Sequence, residues 1–471
     1  MPGSNASPVV VVSNRGPLSY RLDGDGAPVA SAAGGGLAGT LGPLLAGTET
    51  TWVAAAMSPA DRLAAKDGPV ASGGLRVVPV VADPAVYAQA YDVVANATLW
   101  FCHHHLFDLA RRPRLDRHWH AAFDAYRALN EQFVDVVAAE APERAVVLVQ
   151  DYHLSLAGGM LAERRGDLRT VHFHHTPFAD PNVLRVLPEA AAGELLAGLA
   201  GFGACGFHTA RWAQGFRACF DDPQLARAAG APVPATFAAP LGPTPAALAA
   251  AAQSPEAAAA RRRLEGIVGG RRLIVRVDRI ELSKNLLRGV LAFEALLEER
   301  LDWREAVVLL ALAYPSRQDL AEYIGYRAEV EHTVERINER FATDGWTPIV
   351  FDPDDDYPRS LAALGAYDVL FVNPVRDGMN MVAKEGPLLN TNDGVLVLST
   401  EAGAYEELAS AALGINPFDV QATAAALARA LDMEPGERAA RAADLRSLVL
   451  ARSATDWLDD QLAAAGAAAG A

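Results

Sequence analysis

The sequence predicts an α/β protein with two doubly wound, Rossmann-like domains that face a cleft. Short apolar runs rich in β-branched residues alternate with longer segments of helical periodicity along the whole chain. Runs that are apolar throughout are typical of strands in a parallel sheet, because helices cover both faces of such a sheet. The chain has 471 residues, which is more than one ordinary domain holds. These observations together favour two doubly wound domains over a single core.

The alternation assigns the main elements in order along the chain. Seven apolar runs are predicted as buried strands, at residues 9–12, 145–149, 171–173, 273–277, 306–312, 369–372 and 395–398. Three longer segments are predicted as helices, at residues 118–139, 286–299 and 317–341.

A seam rich in proline and glycine divides the chain at residues 240–245, and a new strand follows it after an Ala-rich charged helix. We therefore predict one Rossmann-like domain over residues 1–242 and a second over residues 243–450. Residues 451–471 are predicted as a helix with an Ala-rich tail that frays at its end.

Composition and charge exclude several classes of protein. Hydrophobic residues make up 51% and charged residues 21%, which is the balance of a globular chain and not of a disordered or fibrous one. The net charge of −16 argues against nucleic acid or an anionic membrane as the main partner. We find no secretory signal and no uninterrupted apolar span of about 20 residues. The three cysteines lack a Cys-x-x-Cys spacing and cannot form a disulfide framework, so we predict a protein of the reducing cytoplasm. Homo-oligomerisation stays open.

Polar residues at strand ends are the first candidates for a site, because doubly wound sheets bind ligands there. In the N-terminal half, Arg15 follows the first strand and is followed by a glycine patch at residues 34–37. Glycines there allow close approach of the backbone to a ligand, although a plain turn explains them equally well. Asp151 and His175 follow two further strands, so we expect both to face one crevice.

A metal site has to be weighed because nine of the eleven histidines lie between His103 and His175. Metal-binding helices favour pairs of histidines spaced i and i+4, whereas consecutive histidines point in different directions. Neither Cys nor Glu completes a ligand set near them. We therefore predict packing and hydrogen-bonding roles for most of these histidines and no metal.

The C-terminal half carries the more specific pattern. Arg279 and Lys284 follow a buried strand and could form a cationic pair for a diphosphate, although solvated surface charge is the plainer interpretation. After the next such strand, Gly378 is predicted to open a helix, whose free N–H groups attract anions. Glu385 then lies two turns further on the same face, where it could accept from ribose hydroxyls. These residues could hold a sugar nucleotide by its diphosphate, which indicates a two-domain glycosyltransferase. A phosphorylase-like enzyme stays an alternative.

Ten segments match, in order, the motifs of one known family. They are SNRGP (13–17), the glycine patch (34–37), YDVVANATLW (91–100), QDYHL (150–154), HTPF (175–178), RVLP (185–188), VDRIELSK (277–284), YPSR (314–317), RDGMNMVAKE (376–385) and LSTEAGA (398–404). The chain therefore resembles the trehalose-6-phosphate synthase family of retaining glycosyltransferases, from Val9 to about Met433. The resemblance implies the two-domain GT-B fold, with an acceptor-binding N-terminal domain and a C-terminal domain that binds the nucleotide sugar.

The resemblance also implies roles for individual residues. The implied catalytic residues are Asp151 near the acceptor sugar, His175 beside the donor glucose, the diphosphate pair Arg279 and Lys284, and Asp377 on the glucose hydroxyls. Further donor contacts are implied at Gly35, Gly36, Tyr357, Gly378, Met379, Asn380, Met381, Val382 and Glu385. The implied residues for the acceptor's phosphate are Arg15, Tyr91, Trp100 and Arg317.

The activity that the resemblance implies is transfer of glucose from a nucleotide donor to glucose 6-phosphate with retention, which gives α,α-trehalose 6-phosphate. In the family's proposed mechanism the leaving diphosphate takes the acceptor's proton, so Arg279, Lys284 and a helix dipole would stabilise developing charge. No metal and no cofactor are expected. Two alternatives stay open: a related transferase or pseudo-glycosyltransferase with another phosphorylated acceptor or a cyclitol donor, and a non-catalytic sensor of sugar phosphates. The complete donor and acceptor sets favour an enzyme.

Departures from the family's pattern concern mainly the nucleotide base. Residues 281–285 read Glu-Leu-Ser-Lys-Asn where the family has Asp-Tyr and a final Gly around the lysine, and Gln150 stands where the family has His. The base contact falls near Tyr357, beside a diverged acidic stretch at residues 352–356. Both GDP-glucose and UDP-glucose fit as donors. We expect the guanosine donor to be used at a rate comparable with, or better than, the uridine donor.

Recognition of the acceptor's phosphate requires a local cationic pocket, because the protein as a whole is acidic. We expect Arg15 and Arg317 to meet across the cleft and to hold one phosphate by paired, charge-assisted hydrogen bonds. Tyr91 could add a hydroxyl donor and Trp100 an indole N–H. The plainer interpretation of the four residues is two surface arginines and two core aromatics.

Overall fold

The structure is a computed structural model that describes residues 7–32, 36–46, 48–317 and 320–468. These residues form two compact units. The first unit runs to Pro240 and resumes at Ala454, and the second comprises Leu241–Ser453.

The first unit is built on an eight-stranded sheet in the order β10-β9-β8-β7-β1-β4-β6-β5. All neighbours in it are parallel except β5, which pairs antiparallel with β6, and β2 and β3 form a separate hairpin. The strands are β1 (Val9–Ser13), β2 (Leu18–Leu22), β3 (Pro28–Ala32), β4 (Thr51–Ala55), β5 (Val70–Ser72), β6 (Leu75–Val80), β7 (Val146–Gln150), β8 (Arg169–His174), β9 (Ala204–Phe207) and β10 (Ala235–Ala238). The helices are α1 (Gly36–Leu45), α2 (Pro59–Ala64), α3 (Pro84–Ala88), α4 (Trp100–His103), α5 (Arg117–Glu140), α6 (Ala157–Arg164), α7 (Pro181–Leu184), α8 (Glu189–Ala200), α9 (Ala210–Asp221) and α10 (Pro223–Ala229), with a π-helical segment, Gln89–Leu99, before α4.

The second unit is built on a six-stranded, fully parallel sheet in the order β13-β12-β11-β14-β15-β16. The strands are β11 (Arg272–Ile280), β12 (Val307–Pro315), β13 (Ile349–Asp352), β14 (Val369–Val372), β15 (Val395–Ser399) and β16 (Leu413–Ile415). The helices are α11 (Pro245–Ala252), α12 (Pro255–Val268), α13 (Leu286–Glu299), α14 (Ala321–Phe341), α15 (Tyr357–Ala366), α16 (Val382–Leu389), α17 (Tyr405–Leu408), α18 (Val420–Asp432) and α19 (Pro435–Leu450). The chain then rejoins the first unit with α20 (Ala454–Ala468).

The core of the second unit lies on both faces of its sheet. Ile274 of β11 packs into one apolar cluster, whereas its neighbours Leu273 and Val275 pack into another. Because side chains alternate between the faces of a strand, both faces of β11 are buried. Burial of each such side chain contributes about 1.5–3 kcal/mol, which explains why these strands are apolar throughout. The predicted α/β fold with doubly wound parallel sheets is confirmed.

Each sheet has one point at which the strand order reverses. In the first unit this point lies between β7 and β1, and in the second it lies between β11 and β14. Connections leave to opposite sides at such a point, so a crevice opens outside the carboxyl ends of the two strands. The crevice of each unit is therefore flanked by the residues that follow these strands.

Four local expectations are wrong. Arg279 lies inside β11 and not after it, since β11 extends to Ile280. The helix predicted from residue 317 begins at Ala321, and the helix predicted from Gly378 begins only at Val382. Of the tail that we expected to fray, residues 463–468 are helical and include the completely buried Ala465, whereas residues 469–471 lie outside the described residues. Among the described residues, none of the helices is both long enough and apolar enough to cross a membrane.

Candidate active site

Two loops meet at the reversal point of the second unit. One follows β11 and contains Lys284, and the other follows β14 and contains Asp377. Asn285 ties the first loop to its surroundings, because its Nδ2 donates to the carbonyls of Asn373 and Pro417 at 3.0 and 2.8 Å. Asn285 has a φ of 59°, in the left-handed region where Asn is tolerated better than most residues. The Asn that departs from the family's Gly therefore preserves a turn that Gly also adopts.

Lys284 and Asp377 form an ion pair between these loops. Lys284 Nζ lies 2.6 Å from Asp377 Oδ2, and the two side chains are only 14% and 16% exposed. Burial alone would lower the pKa of Lys284, but the Asp377 carboxylate raises it, so the lysine is charged. Asn380 Nδ2 also donates to Asp377 Oδ2, at 3.2 Å. The pair thus places a cation and a hydrogen-bonding carboxylate side by side, as a diphosphate next to a sugar requires.

The backbone of Asp377 is held by the loop that follows β15. Asp377 N donates to Glu401 O at 3.1 Å, and Gly403 N donates to Asp377 O at 3.0 Å. A Cβ atom at Gly403 would lie 2.0 Å from Gly378 O, so only glycine permits this approach. The small residues of the LSTEAGA motif therefore pack the Asp377 loop in place.

Glu281 is the residue of this region that we missed from the sequence. Its Oε1 accepts from Ser316 Oγ at 2.7 Å and lies 3.0 Å from Arg279 Nη1 and 2.8 Å from Arg317 Nη1. Burial alone would raise the pKa of Glu281, but Arg279 and Arg317 lower it to about 2. One fully buried carboxylate therefore holds both arginines that we assigned to phosphates. The signal available in the sequence was the position of Glu281 between two cationic residues, Arg279 and Lys284, at the end of a buried strand.

Arg317 is positioned more tightly than Arg279. Its side chain is 13% exposed, whereas that of Arg279 is 38% exposed. Arg317 Nη1 also donates to the hydroxyl of Tyr323 on α14 at 3.2 Å. The structure therefore brings Arg279 and Arg317 together through Glu281.

The loop before α16 is ordered by Asn380. Its φ of 81° is in the left-handed region, and its Oδ1 accepts from Ala383 N at 3.1 Å, within the first turn of α16. This left-handed residue explains why the helix does not begin at Gly378, so Gly378 and Glu385 do not share a helical face as we expected. Met379 is buried, and Met381 and Val382 are half-buried where the free N–H groups of α16 begin.

Glu385 and Tyr357 lie in one neighbourhood of the second unit. Burial raises the pKa of Glu385 to about 7. Partial burial, and secondly the charge of Glu385, raise the pKa of Tyr357, whose side chain remains 54% exposed at the start of α15. Of the acidic stretch before it, Asp352 pairs with Arg359 and Asp356 caps α15, so Asp354 and Asp355 are its exposed carboxylates.

Asp151, which follows β7, and His175, which follows the neighbouring strand β8, lie together in the first unit. Asp151 follows β7 with a φ of 72°, and its Oδ1 accepts from His175 N at 3.3 Å. The His175 ring is held separately, because its Nε2 lies 2.9 Å from Gln150 Oε1. Burial lowers the pKa of His175 to about 3, so its imidazole is neutral at physiological pH.

Two of the residues assigned to the acceptor's phosphate within the first unit, Tyr91 and Trp100, pack against the neighbouring rings of His153 and Tyr152. Arg15 is exposed, directly after β1. Tyr91 is half-buried and stacks between Tyr87 and His153, with ring centroids at 5.4 and 5.7 Å. Trp100 is buried and stacks on His104 at 3.9 Å. Gly36 begins α1, whereas Gly35 lies outside the described residues.

The histidine-rich region is a buried hydrogen-bonded and aromatic cluster. His174 Nε2 lies 2.9 Å from Thr176 Oγ1, and the rings of His103 and His174 meet edge to face at 4.6 Å. Burial lowers the pKa of His172 to about 3, so it is uncharged. In the part of the chain that the structure describes, no group of three or more His, Cys, Asp or Glu side chains is arranged to hold a metal ion. Metal independence stays a prediction.

The chain is similar to known proteins in both sequence and structure. The profile of glycosyltransferase family 20 matches residues 7–466. An α,α-trehalose-phosphate synthase [UDP-forming] of Arabidopsis thaliana is 32% identical over 97% of this chain, which spans about half (49%) of that relative. A trehalose-6-phosphate synthase of Mycobacterium sp. (strain JLS) is 33% identical over 97% of this chain and 95% of its own length.

A solved structure extends the match to the fold. The UDP-forming α,α-trehalose-phosphate synthase of Burkholderia xenovorans, crystallised in complex with glucose-6-phosphate, superposes with a TM-score of 0.84 at 31% identity. The match covers 98% of this chain and 100% of that one. The resemblance predicted from the motifs is confirmed, and the protein belongs to glycosyltransferase family 20.

Proposed function

We propose that the protein transfers glucose from a nucleoside diphosphate glucose to glucose 6-phosphate with retention, and so forms α,α-trehalose 6-phosphate. The observation that carries the proposal is the Lys284–Asp377 pair at the reversal point of the second sheet, beside the first turn of α16. A cation, free N–H groups and a carboxylate there suit a diphosphate joined to a sugar. Relatives named as UDP-forming synthases, one of them solved with glucose-6-phosphate, support the substrate assignment.

Within this proposal the second unit binds the donor. Arg279, Lys284 and the N-terminus of α16 stabilise the negative charge that develops on the leaving diphosphate. Asp377 and Asn380 bind hydroxyls of the donor glucose. Glu385 accepts from the ribose, and the exposed ring of Tyr357 stacks on the base, for which both UDP-glucose and GDP-glucose remain candidates.

The acceptor's phosphate is assigned to the guanidinium groups of Arg15 and Arg317, with Tyr91 and Trp100 as further contacts. Asp151 binds the acceptor sugar, and His175 lies against the donor glucose. As the bond from C1 to the diphosphate breaks, the acceptor oxygen bonds to C1 on the same face and its proton passes to the departing diphosphate oxygen. Retention follows from this front-face course, which needs no covalent nucleophile and no metal.

The test is a turnover assay with the purified protein, glucose 6-phosphate and either nucleotide sugar. We expect equimolar nucleoside diphosphate and a disaccharide phosphate, and NMR should identify two α-linked C1 positions in the product. An Asp377→Asn preparation serves as the matched inactive control. Binding of both substrates without any product would instead favour a sugar-phosphate sensor, and a β-linked product would contradict retention.

A further inference from the structure

A chain of buried amides connects the C-terminal helix to His175 within the first unit. Gln461 of α20 and Gln150 at the end of β7 are both completely buried. Gln150 Nε2 lies 3.0 Å from Gln461 Oε1, and Gln150 Oε1 lies 2.9 Å from His175 Nε2. At its other end, Gln461 Nε2 lies 3.4 Å from the carbonyl oxygen of Trp457.

The direction of every hydrogen bond in this chain follows from the Trp457 carbonyl. A carbonyl only accepts, so the amide NH2 of Gln461 faces it and the Gln461 oxygen faces Gln150. The Gln150 NH2 must then donate to Gln461, which leaves the Gln150 oxygen as an acceptor. The partner of that oxygen is His175 Nε2, so this ring nitrogen must carry a hydrogen. Reversing either amide would bring two acceptors or two donors together between completely buried side chains.

We propose that Gln150 and Gln461 are positioning residues that hold His175 as its Nε2–H tautomer, with Nδ1 left as a hydrogen-bond acceptor. Burial keeps the imidazole neutral, so the ring has one donor and one acceptor. None of the described residues is a hydrogen-bond partner of Nδ1.

The acceptor at Nδ1 suits a hydroxyl of a sugar, which can donate to it. This extension rests on the proposed function, in which His175 lies against the donor glucose. The opposite tautomer would present an N–H at the same place and would favour an acceptor there. The Trp457–Gln461–Gln150 chain therefore selects which hydroxyl orientation the site accepts, from a helix that follows the whole second unit in sequence.

The first test is independent of catalysis. Histidine labelled with 15N in the wild-type protein should give, for His175, an Nε2 resonance typical of a protonated nitrogen and an Nδ1 resonance typical of an unprotonated one. The His175→Asn spectrum identifies the resonances. A protonated Nδ1 would overturn the tautomer assignment while leaving the proposed reaction untouched. If His175 showed the Nε2–H tautomer but the protein gave no turnover, the proposed reaction would be refuted instead.

The second test separates positioning from packing. Gln461→Met keeps the volume but removes the amide, so we expect His175 to populate both tautomers. The kcat/KM for the nucleotide sugar should fall about 10-fold, the usual size of a supporting-residue effect, with KM for glucose 6-phosphate unchanged. Gln461→Glu should retain the single tautomer, because a buried, protonated Glu donates to Trp457 and accepts from Gln150 as Gln does.

The matched control is Leu458→Ala, which removes a buried apolar side chain of α20 without touching the amide chain. It should lower the thermal midpoint but keep the His175 tautomer. If Gln461→Met retained a single Nε2–H tautomer, or if it were more active than Gln461→Glu, the amides would be packing elements only and the proposal would be wrong.

Discussion

Lys284 Nζ lies 2.6 Å from Asp377 Oδ2, although the two residues are 93 positions apart in the chain. The contact joins the loops that follow β11 and β14, the strands between which the order of the second sheet reverses. A diphosphate bound beside Lys284 would therefore leave its sugar beside Asp377.

Replacement of the diphosphate cations should reduce turnover. Lys284→Ala and Arg279→Ala should each lower kcat by roughly 100-fold or more, by analogy with the loss of one preorganised donor in other active sites. The fold should persist, because the carboxylates that pair with these cations keep other partners, Asn380 for Asp377 and Arg317 for Glu281. Steady-state kinetics measure the effect. Arg327→Ala, which breaks a half-exposed ion pair with Glu331 on α14, should leave kcat unchanged. Near wild-type turnover of both active-site variants would place the diphosphate elsewhere.

Loss of Arg317 should affect the acceptor selectively. Arg317→Ala should raise KM for glucose 6-phosphate strongly and KM for the nucleotide sugar little, because the lost interaction is with phosphate. It should also narrow the difference between glucose 6-phosphate and glucose as acceptors. Steady-state kinetics with both acceptors measure these effects in the wild type, in Arg317→Ala and, for comparison, in Arg15→Ala. If discrimination between the two acceptors survived in both variants, the acceptor's phosphate would bind to other residues.

Chelation should have little effect on activity. The proposed charge stabilisation comes from Arg279, Lys284 and the helix N-terminus, so turnover should persist in excess EDTA with at most a modest change. The assay compares initial rates before and after chelation and after re-addition of Mg²⁺ or Zn²⁺. A complete loss that metal restores would contradict this prediction.

Donor choice should extend to guanosine. The Tyr357 ring is exposed, and Asp354 and Asp355 beside it are exposed carboxylates that can accept from a purine's amino edge. GDP-glucose should therefore be used at a rate comparable with, or better than, UDP-glucose. Initial rates with a panel of nucleotide-glucose donors at equal concentration measure this preference. The Tyr357→Ala variant should use both donors less well. Strict preference for the uridine donor would refute the prediction.

Glu385 should make stability fall as the pH rises. Its pKa is about 7 in the folded protein against an ordinary value of 4.5, so between these values the folded state binds more protons than the unfolded state. The free energy of unfolding therefore decreases as the pH rises through this window. The Glu385→Gln variant cannot ionise at this position. Its free energy of unfolding should therefore fall by roughly 1–3 kcal/mol less than that of the wild type as the pH rises through this window.

Urea unfolding followed at about pH 5 and about pH 8 measures this difference. Glu335→Gln, at an exposed position of α14, removes the same charge and is the control. Parallel pH dependence of the wild type and Glu385→Gln would show that Glu385 titrates normally.

The α/β class, seven of the strands to within a few residues, and the strand ends that carry Asp151, His175, Lys284 and Asp377 follow from the amino-acid order alone. These features are local. Unbroken apolar runs need burial on both faces, and polar residues directly after such runs lie at the carboxyl edge of a parallel sheet.

Which of these residues meet depends on contacts between segments that are far apart in the chain. No periodicity indicates that β11 lies beside β14, that Glu281 binds two arginines, or that Gln461 reaches Gln150 over 311 positions of sequence. The left-handed backbone of Asn380 likewise delays the start of α16 to Val382. Hydrogen-bond partners of buried polar groups depend on strand order and helix docking, and those are set by packing between segments that are distant in the chain.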